Sequence, residues 1–399
     1  MKKILIVGAG FLQSFVIRKA KALGYYTMAV DANPNAEGFM YADECATINI
    51  TDEEACLSYA REKSVDGVLT AATDYGVMTA AYVAEKMGLH GISYEAAKRI
   101  KNKYAVRKCL CKAKADDTGE SYEVYDDESC DTVRRRISYP VMVKPCDGSG
   151  SRGASRVDSA EDFSEACRYA MSQSLTHRAT VEPFINGREY GVESFVENGD
   201  IHVLAVMQKQ MTAPPYYAEL GHALPSGLPV ETEERVKACV KTAIKALNLT
   251  FGSVNMDLLI TDSGSVHIVD IGARMGGNLI GSHIVPLGTG VDYMGNMIRA
   301  AVGDSTEWPT DEAIVTKPVA TRLLALTPGT VVGVPDIKRI SDEYDVIVEH
   351  HLHVNAVINE YHTNLDGMGY VVATSDRIDI AKRNADSALA VIDGAIRRR

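Results

Sequence analysis

Short apolar runs alternate with stretches of helical periodicity through the first hundred residues. Residues 4–7 read as a buried strand, 11–23 as a helix that stops at Gly24, and 27–30 as a second strand ending in Asp31. Residues 46–50 and 67–70 read as further strands, with 51–63 and 75–87 as the helices between and after them. Strand–helix alternation of this kind implies a parallel sheet with helices on both faces. The expected class is therefore α/β, opening with a doubly wound parallel sheet. Ser93 suits the N-cap of a helix running through Tyr104 to Leu110. Further on, 231–247 has Val236, Val240, Ala243, Ile244 and Leu247 on one helical face. Residues 253–260 and 266–271 form a strand pair around a polar turn. Strand-like pieces at 321–326, 346–349 and 370–373 lead into a final helix over 378–396.

The composition is that of a globular protein: 399 residues, 46% hydrophobic and 24% charged. A net charge of −11 argues against a general binder of nucleic acid or anionic membrane, because phosphate backbones demand basic surface. Eight scattered cysteines with no CxxC pair read as free thiols in a reducing compartment. The apolar run at 4–7 is shorter than the roughly 7–15 residues of a signal-peptide core. No stretch reaches the roughly 18 apolar residues of a membrane span. The expected setting is cytoplasmic. Charge is unevenly spread, however. Residues 115–130 hold seven acids and no base, whereas 131–157 hold six bases against two acids, a local +4. That segment suits a small anionic ligand.

Three groups of residues suggest chemistry. Gly8-Ala9-Gly10 follows a strand, and Asp31 stands where a ribose-binding acid would, but position 13 is Gln13 rather than glycine. The alternatives are a dinucleotide site and a plain tight turn whose helix N-terminus can still receive an anion. Next, the apolar strand at 139–145 carries Lys144 into Cys146-Asp147-Gly148-Ser149-Gly150-Ser151-Arg152-Gly153. Such a loop exposes N–H groups to phosphate oxygens, and no Gly-Lys-Ser/Thr makes it a Walker A loop. Cys146 reads as a packing residue. Residues 181–193 read as strand, tight turn, strand, with Glu182 and Glu189 across a hairpin. Finally, Asp257 and Asp270 sit on the two strands of one hairpin, which brings two repelling carboxylates together. A magnesium ion removes that cost with the hard oxygen ligands it prefers. Gly272-Ala273-Arg274-Met275-Gly276-Gly277-Asn278 then sets an arginine and free amides beside the metal. His350, His351 and His353 read as a solvated strand end rather than a metal site.

The order Lys103, Lys144 with its glycine loop, Glu182 to Glu189, Asp257, and Asp270-Ile271-Gly272-Ala273-Arg274 resembles the ATP-grasp ligases over nearly the whole chain. Residues 8–13, 217–225 and Gly276-Gly277 are similar to carboxylate–amine ligases, including L-amino-acid (dipeptide) ligases. The resemblance implies a Rossmann-like pre-ATP-grasp domain at 1–101. It further implies an α+β ATP-grasp domain at 102–305 with a mobile lid about 115–180, and a C-terminal subdomain at 306–399. It implies ATP and Mg2+ (or Mn2+) as cofactors, with Asp257 and Asp270 on the metal. Lys103 and Lys144 would hold the phosphates, and Gly148, Ser149, Gly150 and Gly153 would close over them. Main chain from Glu182 through Phe184 and Ile185 would pair with adenine, and Glu189 would bind the ribose. Arg274 and Lys144 would be catalytic. Glu219 and His222, in a loop rich in Pro and Tyr, would face the acceptor pocket with Arg274, Gly276 and Gly277.

One departure stands out. The family's second metal strand reads Glu-x-Asn-x-Arg, and here Gly272 replaces the Asn. Either magnesium is held more loosely, or water or Asn278 substitutes. The implied reaction activates a carboxylate as an acyl-phosphate, which an amine attacks to give amide, ADP and phosphate. Rivals are phosphoribosylamine–glycine ligation, bicarbonate activation of the carboxylase or carbamoyl-phosphate type, a non-catalytic ATP-binding subunit, and an NAD-dependent oxidoreductase resting on Gly8 and Gly10. The partners implied are small carboxylates and amines, with no nucleic acid or membrane. A homodimer is the commonest closed assembly.

Overall fold

A computed structural model describes residues 1–148, 153–213, 216–310 and 313–399. Ser149 and Gly150, expected at the phosphates, lie outside the described residues.

The expected parallel sheet is present. Strands β1 (Lys3–Val7), β2 (Tyr26–Asp31), β3 (Glu44–Thr47) and β4 (Gly67–Leu69) pair in the order β3-β2-β1-β4. Helices α1 (Phe11–Ala22), α2 (Glu53–Lys63) and α3 (Val77–Met87) accompany them. The third strand starts earlier than its apolar pattern suggested, because Asp43 accepts from the Thr27 N–H and hydroxyl, both at 2.9 Å, and pins its entry.

The single helix expected after Ser93 is two helices, α4 (Tyr94–Lys101) and α5 (Lys103–Ala113). Asn102 breaks them. Its backbone is extended and its side chain accepts from the Ala105 N–H, giving α5 an N-cap of its own. The break frees the Lys103 N–H to donate to the Cys146 carbonyl at 2.7 Å.

A second sheet follows, made of β5 (Tyr122–Val124), β6 (Val141–Pro145), β7 (Ser155–Val157) and β8 (Ala179–Pro183), with helices α6 (Asp127–Arg134) and α7 (Phe163–Ser172). Its order is β5-β8-β6-β7, all antiparallel. Val143, Phe163, Cys167 and Val181 form a core confined to this unit.

The third and largest sheet takes β9 (Arg188–Glu197), β10 (Asp200–Met211), β11 (Glu219–Leu224), β12 (Gly252–Ile260) and β13 (Val266–Gly272). Helix α8 (Val230–Ala246) buries the expected stripe of Val236, Val240, Ala243, Ile244 and Leu247 against Val192, Val254 and Met256. After α9 (Val285–Thr289) and α10 (Tyr293–Ala301) come β14 (Val319–Leu323), β15 (Gly329–Gly333), α11 (Ile337–Tyr344), β16 (Val346–His350), β17 (Val357–Ile358), β18 (Gly369–Thr374), α12 (Ile378–Ala395) and β19 (Arg397–Arg398). The large sheet runs β13-β12-β9-β10-β11-β14-β18-β16, so strands from the last part of the chain extend it. A small sheet, β17-β15-β19, stands beside it.

The hairpin expected over 181–193 does not form: β8 and β9 belong to different sheets. Pro183 has no N–H to extend a ladder, and the Phe184 N–H turns to the Pro140 carbonyl at 3.1 Å. At Gly187 a Cβ would lie 2.9 Å from the Ile260 oxygen, so the chain enters β9 hard against β12. The parallel-sheet unit shares a continuous core with the large sheet. Val16 and Ile17 of α1 belong to one cluster with Leu204 and Met207 of β10 and Tyr293 and Ile298 of α10.

Candidate active site

The floor of the site is the β12–β13 ladder. Asp257 stands directly opposite Asp270, and two residues along, on the same face, Asn255 stands opposite Gly272. Asp270 accepts from the Lys103 ammonium at 2.6 Å, and Asp257 from the Lys209 ammonium at 2.9 Å. Lys209, on β10, was not among the expected residues. It is buried, and it also pairs with Glu219 and, at 3.6 Å, with Glu189. One ammonium thus serves three carboxylates. Burial raises the Glu189 and Asp257 carboxyls, and Lys209 only partly reverses this. Burial also acts to raise Glu219, but there Lys209 prevails and holds the carboxyl down to about 2. The sequence did carry a signal for Lys209. In the run Ala205, Met207, Lys209, a cation takes the place of the next inward apolar residue.

The opposite wall comes from the smaller antiparallel sheet. Lys144 on β6 donates to Glu182 on the adjoining β8 at 3.0 Å, and both side chains are largely buried. Gly148 and Gly153 flank the loop that follows β6. Phe184 and Ile185 form the crossing to the floor, where the Arg156 guanidinium lies 4.2 Å from the Phe184 ring centre. Cys146 is fully buried, and burial pushes its thiol up to about 12, which makes it a packing residue.

The third side is the loop after β13. Arg274 Nε lies 2.9 Å from an Asp74 oxygen of the first domain, and Nη1 donates to Asn255 Oδ1 at 3.4 Å. The guanidinium lies over Gly272, where a Cβ would come within 3.0 Å of its Cζ. The Gly276 N–H donates to Glu193 at 3.1 Å. Glu193 is fully buried and also accepts from Asn255 Nδ2 at 2.9 Å and the Tyr293 hydroxyl at 2.5 Å. Burial raises its carboxyl to about 7, against the pull of those donors. Gly277 lies against Leu12 and Ala72, and the Ala72 N–H donates to the Met275 carbonyl at 3.0 Å. The first domain therefore clasps the loop directly.

Two expectations on this side need correction. Glu219 and His222 lie on strand β11, not in a loop, because they pair with Met211 and Lys209 of β10. His222 is buried, and burial lowers its imidazole to about 4, so it is neutral near pH 7. Glu219 is held by Asn278 and by Asn364, whose amide donates at 2.9 Å, while the Tyr361 hydroxyl donates to its carbonyl. Asn278 does not substitute as a metal ligand, because its oxygen accepts from the Tyr370 hydroxyl at 3.0 Å and its amide donates to Glu219.

The glycine turn after β1 is a tight turn and not a dinucleotide cradle. Gln13 donates to the Ala71 carbonyl at 2.6 Å and lies against Gly8 and Gly10. Asp31 accepts from the Ala9 and Asn33 N–H groups, each at 2.9 Å, so the turn itself uses the acid a ribose would need. The oxidoreductase reading loses its basis. His351 and His353 are exposed, and His351 packs edge-on against Phe11. Among the described residues, no group of three or more His, Cys, Asp or Glu is arranged to hold a metal. The opposed Asp257 and Asp270 still offer the hard oxygen donors that magnesium takes. Asp74, Glu182, Glu189, Glu219, Asp257 and Asp270 also outnumber Lys103, Lys144, Lys209 and Arg274. A polyphosphate entering such a site needs added cations, so the residues fit a divalent metal. Among the described residues, no helix is long and apolar enough to cross a membrane. The eight cysteines are unpaired.

An acidic floor thus faces a lysine-bearing antiparallel wall in this α/β protein, with an arginine loop between them. Residues 137–282 match the model of the ATP-grasp domain. An uncharacterized protein of Sinorhizobium fredii is 26% identical over 392 residues, covering 95% of this chain and 80% of that protein. The formate-dependent phosphoribosylglycinamide formyltransferase of Bacteroides fragilis is 26% identical over 232 residues, covering 57% of this chain. That match spans 56% of the relative's own length. Among solved structures, the L-amino acid ligase of Bacillus licheniformis shares the fold. Its TM-score is 0.81 at 21% identity, and the match covers 100% of this chain and 99% of that one.

Proposed function

We propose that the protein is an ATP-dependent carboxylate–amine ligase that works through an acyl-phosphate on amino-acid-like substrates and releases ADP and phosphate. The observation that carries this reading is the convergence of Lys103, Lys209 and Arg274 on the Asp257–Asp270 ladder, facing the Lys144–Glu182 wall. Lys103 and Lys144 bind the phosphates under the loop from Gly148 to Gly153, including Ser149 and Gly150. Backbone from Glu182 to Ile185 receives adenine, and Glu189 the ribose. Asp257 and Asp270 would hold Mg2+, which supplies charge neutralisation across the transferring phosphates.

A carboxylate is a poor acyl donor, because its leaving group would be oxide. Attack of its oxygen on the γ-phosphorus releases ADP and leaves the acyl group on a good leaving group. The amine then attacks the carbonyl carbon and phosphate departs, with one amine proton passing to solvent. Arg274, fixed between Asp74 and Asn255, stabilises charge on the transferring phosphoryl group and on the acyl-phosphate. Closure of the smaller sheet over the floor excludes water that would hydrolyse the intermediate. Glu219, held ionised by Lys209, faces the acceptor ammonium beside Gly276 and Gly277. His222 acts as a neutral wall and not as a proton carrier. A cytoplasmic setting accords with the eight unpaired cysteines.

The names of the similar proteins support a small carboxylate as substrate: one is a formate-dependent formyltransferase, the other an L-amino acid ligase. Phosphate release with ATP, Mg2+ and a panel of amino acids, singly and in pairs, tests the reading. Release that depends on an amino acid supports ligation. ATP binding with no release from any member of the panel favours a binding subunit.

A further inference from the structure

We propose that Asn255 supplies the third oxygen ligand of the divalent cation held by Asp257 and Asp270, in place of the side chain that position 272 lacks. The proposal rests on the nucleotide–metal reading above. Asn255 is the register partner of Gly272, and Asp257 is the register partner of Asp270. Positions two apart on a strand share a face, so all four project toward the same side of the ladder. A carboxamide is therefore present on this face, one strand over from where the family pattern puts it.

Position 272 is tight. A Cβ there would press on the Arg274 guanidinium, with Cζ at 3.0 Å and Nη1 at 3.1 Å, so Arg274 would have to shift before a longer residue could enter. Asn278 is committed to Tyr370 and Glu219.

The orientation of Asn255 is also fixed. Glu193 is fully buried, and the end of the carboxamide facing it at 2.9 Å must be the donating NH2 while Glu193 is ionised. The acceptor oxygen is the free end, and its contact to Arg274 Nη1 is long, at 3.4 Å. A carboxamide on the strand face that carries two opposed carboxylates, held by a partner behind it, has the layout of a ligand with its outer shell. Glu193 is then the positioning residue for that ligand, and through the Gly276 N–H it ties the ligand to the loop that carries Arg274.

The test is the dissociation constant of Mn2+ from the protein–ADP complex, followed by the electron paramagnetic resonance of free Mn2+. ADP affinity in the presence of EDTA and the thermal unfolding midpoint serve as controls. Asn255→Ala should weaken Mn2+ by roughly tenfold or more, as loss of a metal-orienting contact does, with ADP affinity in EDTA unchanged. Asn255→Asp keeps an oxygen donor but loses the N–H to Glu193, and should hold Mn2+ at least as tightly as the wild type. If Asn255 only braces Glu193 and Arg274, the two variants weaken Mn2+ alike, and the proposal is overturned. Mn2+ affinity unchanged in Asn255→Ala overturns it too. Should the Ala variant not fold, Asn255→Ser, whose oxygen is too short to reach, replaces it with the same expected loss. A wild-type protein that binds ADP but no Mn2+ overturns both the proposal and the metal reading. Mn2+ binding that needs Asp257 and Asp270 but ignores Asn255 leaves the metal reading standing alone.

Discussion

The two walls of the cleft hold their charges in different ways. On the floor, Lys103 and Lys209 reach carboxylates that arrive from other parts of the chain, and Lys209 alone ties together β9, β10, β11 and β12. The floor is further fixed by the first domain, through the shared core and the Asp74–Arg274 contact. On the opposite wall, Lys144 pairs with Glu182 in its own small sheet, and that sheet has a core of its own. One wall is braced from several sides, whereas the other has its own core and meets the floor at the crossing at 184–187 and at the Lys103 N–H, which donates to the Cys146 carbonyl. Under the proposed function, this asymmetry keeps the floor preorganised for charge and leaves closure over the nucleotide to the smaller sheet.

The comparison breaks most visibly in turnover. Asp257→Asn on the floor and Lys144→Ala on the wall should each lower ATP-dependent phosphate release by roughly 100–1,000-fold, the range for removing one preorganised charge contact. The floor variant should also lose Mn2+ from the ADP complex, and the wall variant should keep it. Wild-type rates in either would remove that residue from the site.

Stability should distinguish the walls next. Lys209→Met leaves three carboxylates facing one another, and urea unfolding at pH 7 should show a loss of roughly 2–4 kcal/mol, with allowance for the partial exposure of Asp257. Millimolar Mg2+ should restore part of it by supplying the missing cation. No loss in the variant would mean the carboxylates are already relieved by solvent.

The buried Glu193 gives a pH signature. Its native pKa, raised to about 7, lies above the unfolded carboxyl range, so the native state keeps a proton that the unfolded chain releases. Its contribution is fully present below about pH 4.5 and is lost as pH rises through about 7. Between pH 5 and 8, the wild type should lose about 2–3 kcal/mol more stability than Glu193→Gln. Parallel pH profiles would show that Glu193 is not the titrating group. The smallest effect is expected at the crossing itself. Gly187→Ala presses a Cβ against the Ile260 oxygen and should cost about 1–2 kcal/mol in urea unfolding.

Much of this architecture was legible in the chain because its signals are local. The apolar runs of β1, β2 and β4, the stripe of α8 and the pairing of β12 with β13 each follow from a periodicity within about ten to twenty residues. The opposed Asp257 and Asp270 were legible for the same reason, since one turn sets their register. What escaped depended on contacts far along the chain. The sheet change between β8 and β9 is decided by Pro140 and Ile260, distant from the turn itself. The placement of Glu219 on a strand depends on its pairing with Met211 of β10, across a register shift that no local pattern shows. Lys209 showed only as a cation in an inward position. Asp74 and Glu193 gave no local sign, because their partners lie in other elements.

The central claim is that this cleft joins a carboxylate to an amine through an acyl-phosphate. It is tested most directly by isotope transfer. The amino acid that stimulates phosphate release is supplied with 18O in its carboxyl group, and the inorganic phosphate formed is weighed by mass spectrometry. The account predicts one 18O in each phosphate released, because the carboxyl oxygen that attacks the γ-phosphorus leaves with it. Phosphate carrying no label would show that water attacks ATP directly, and would contradict the ligase reading of the site.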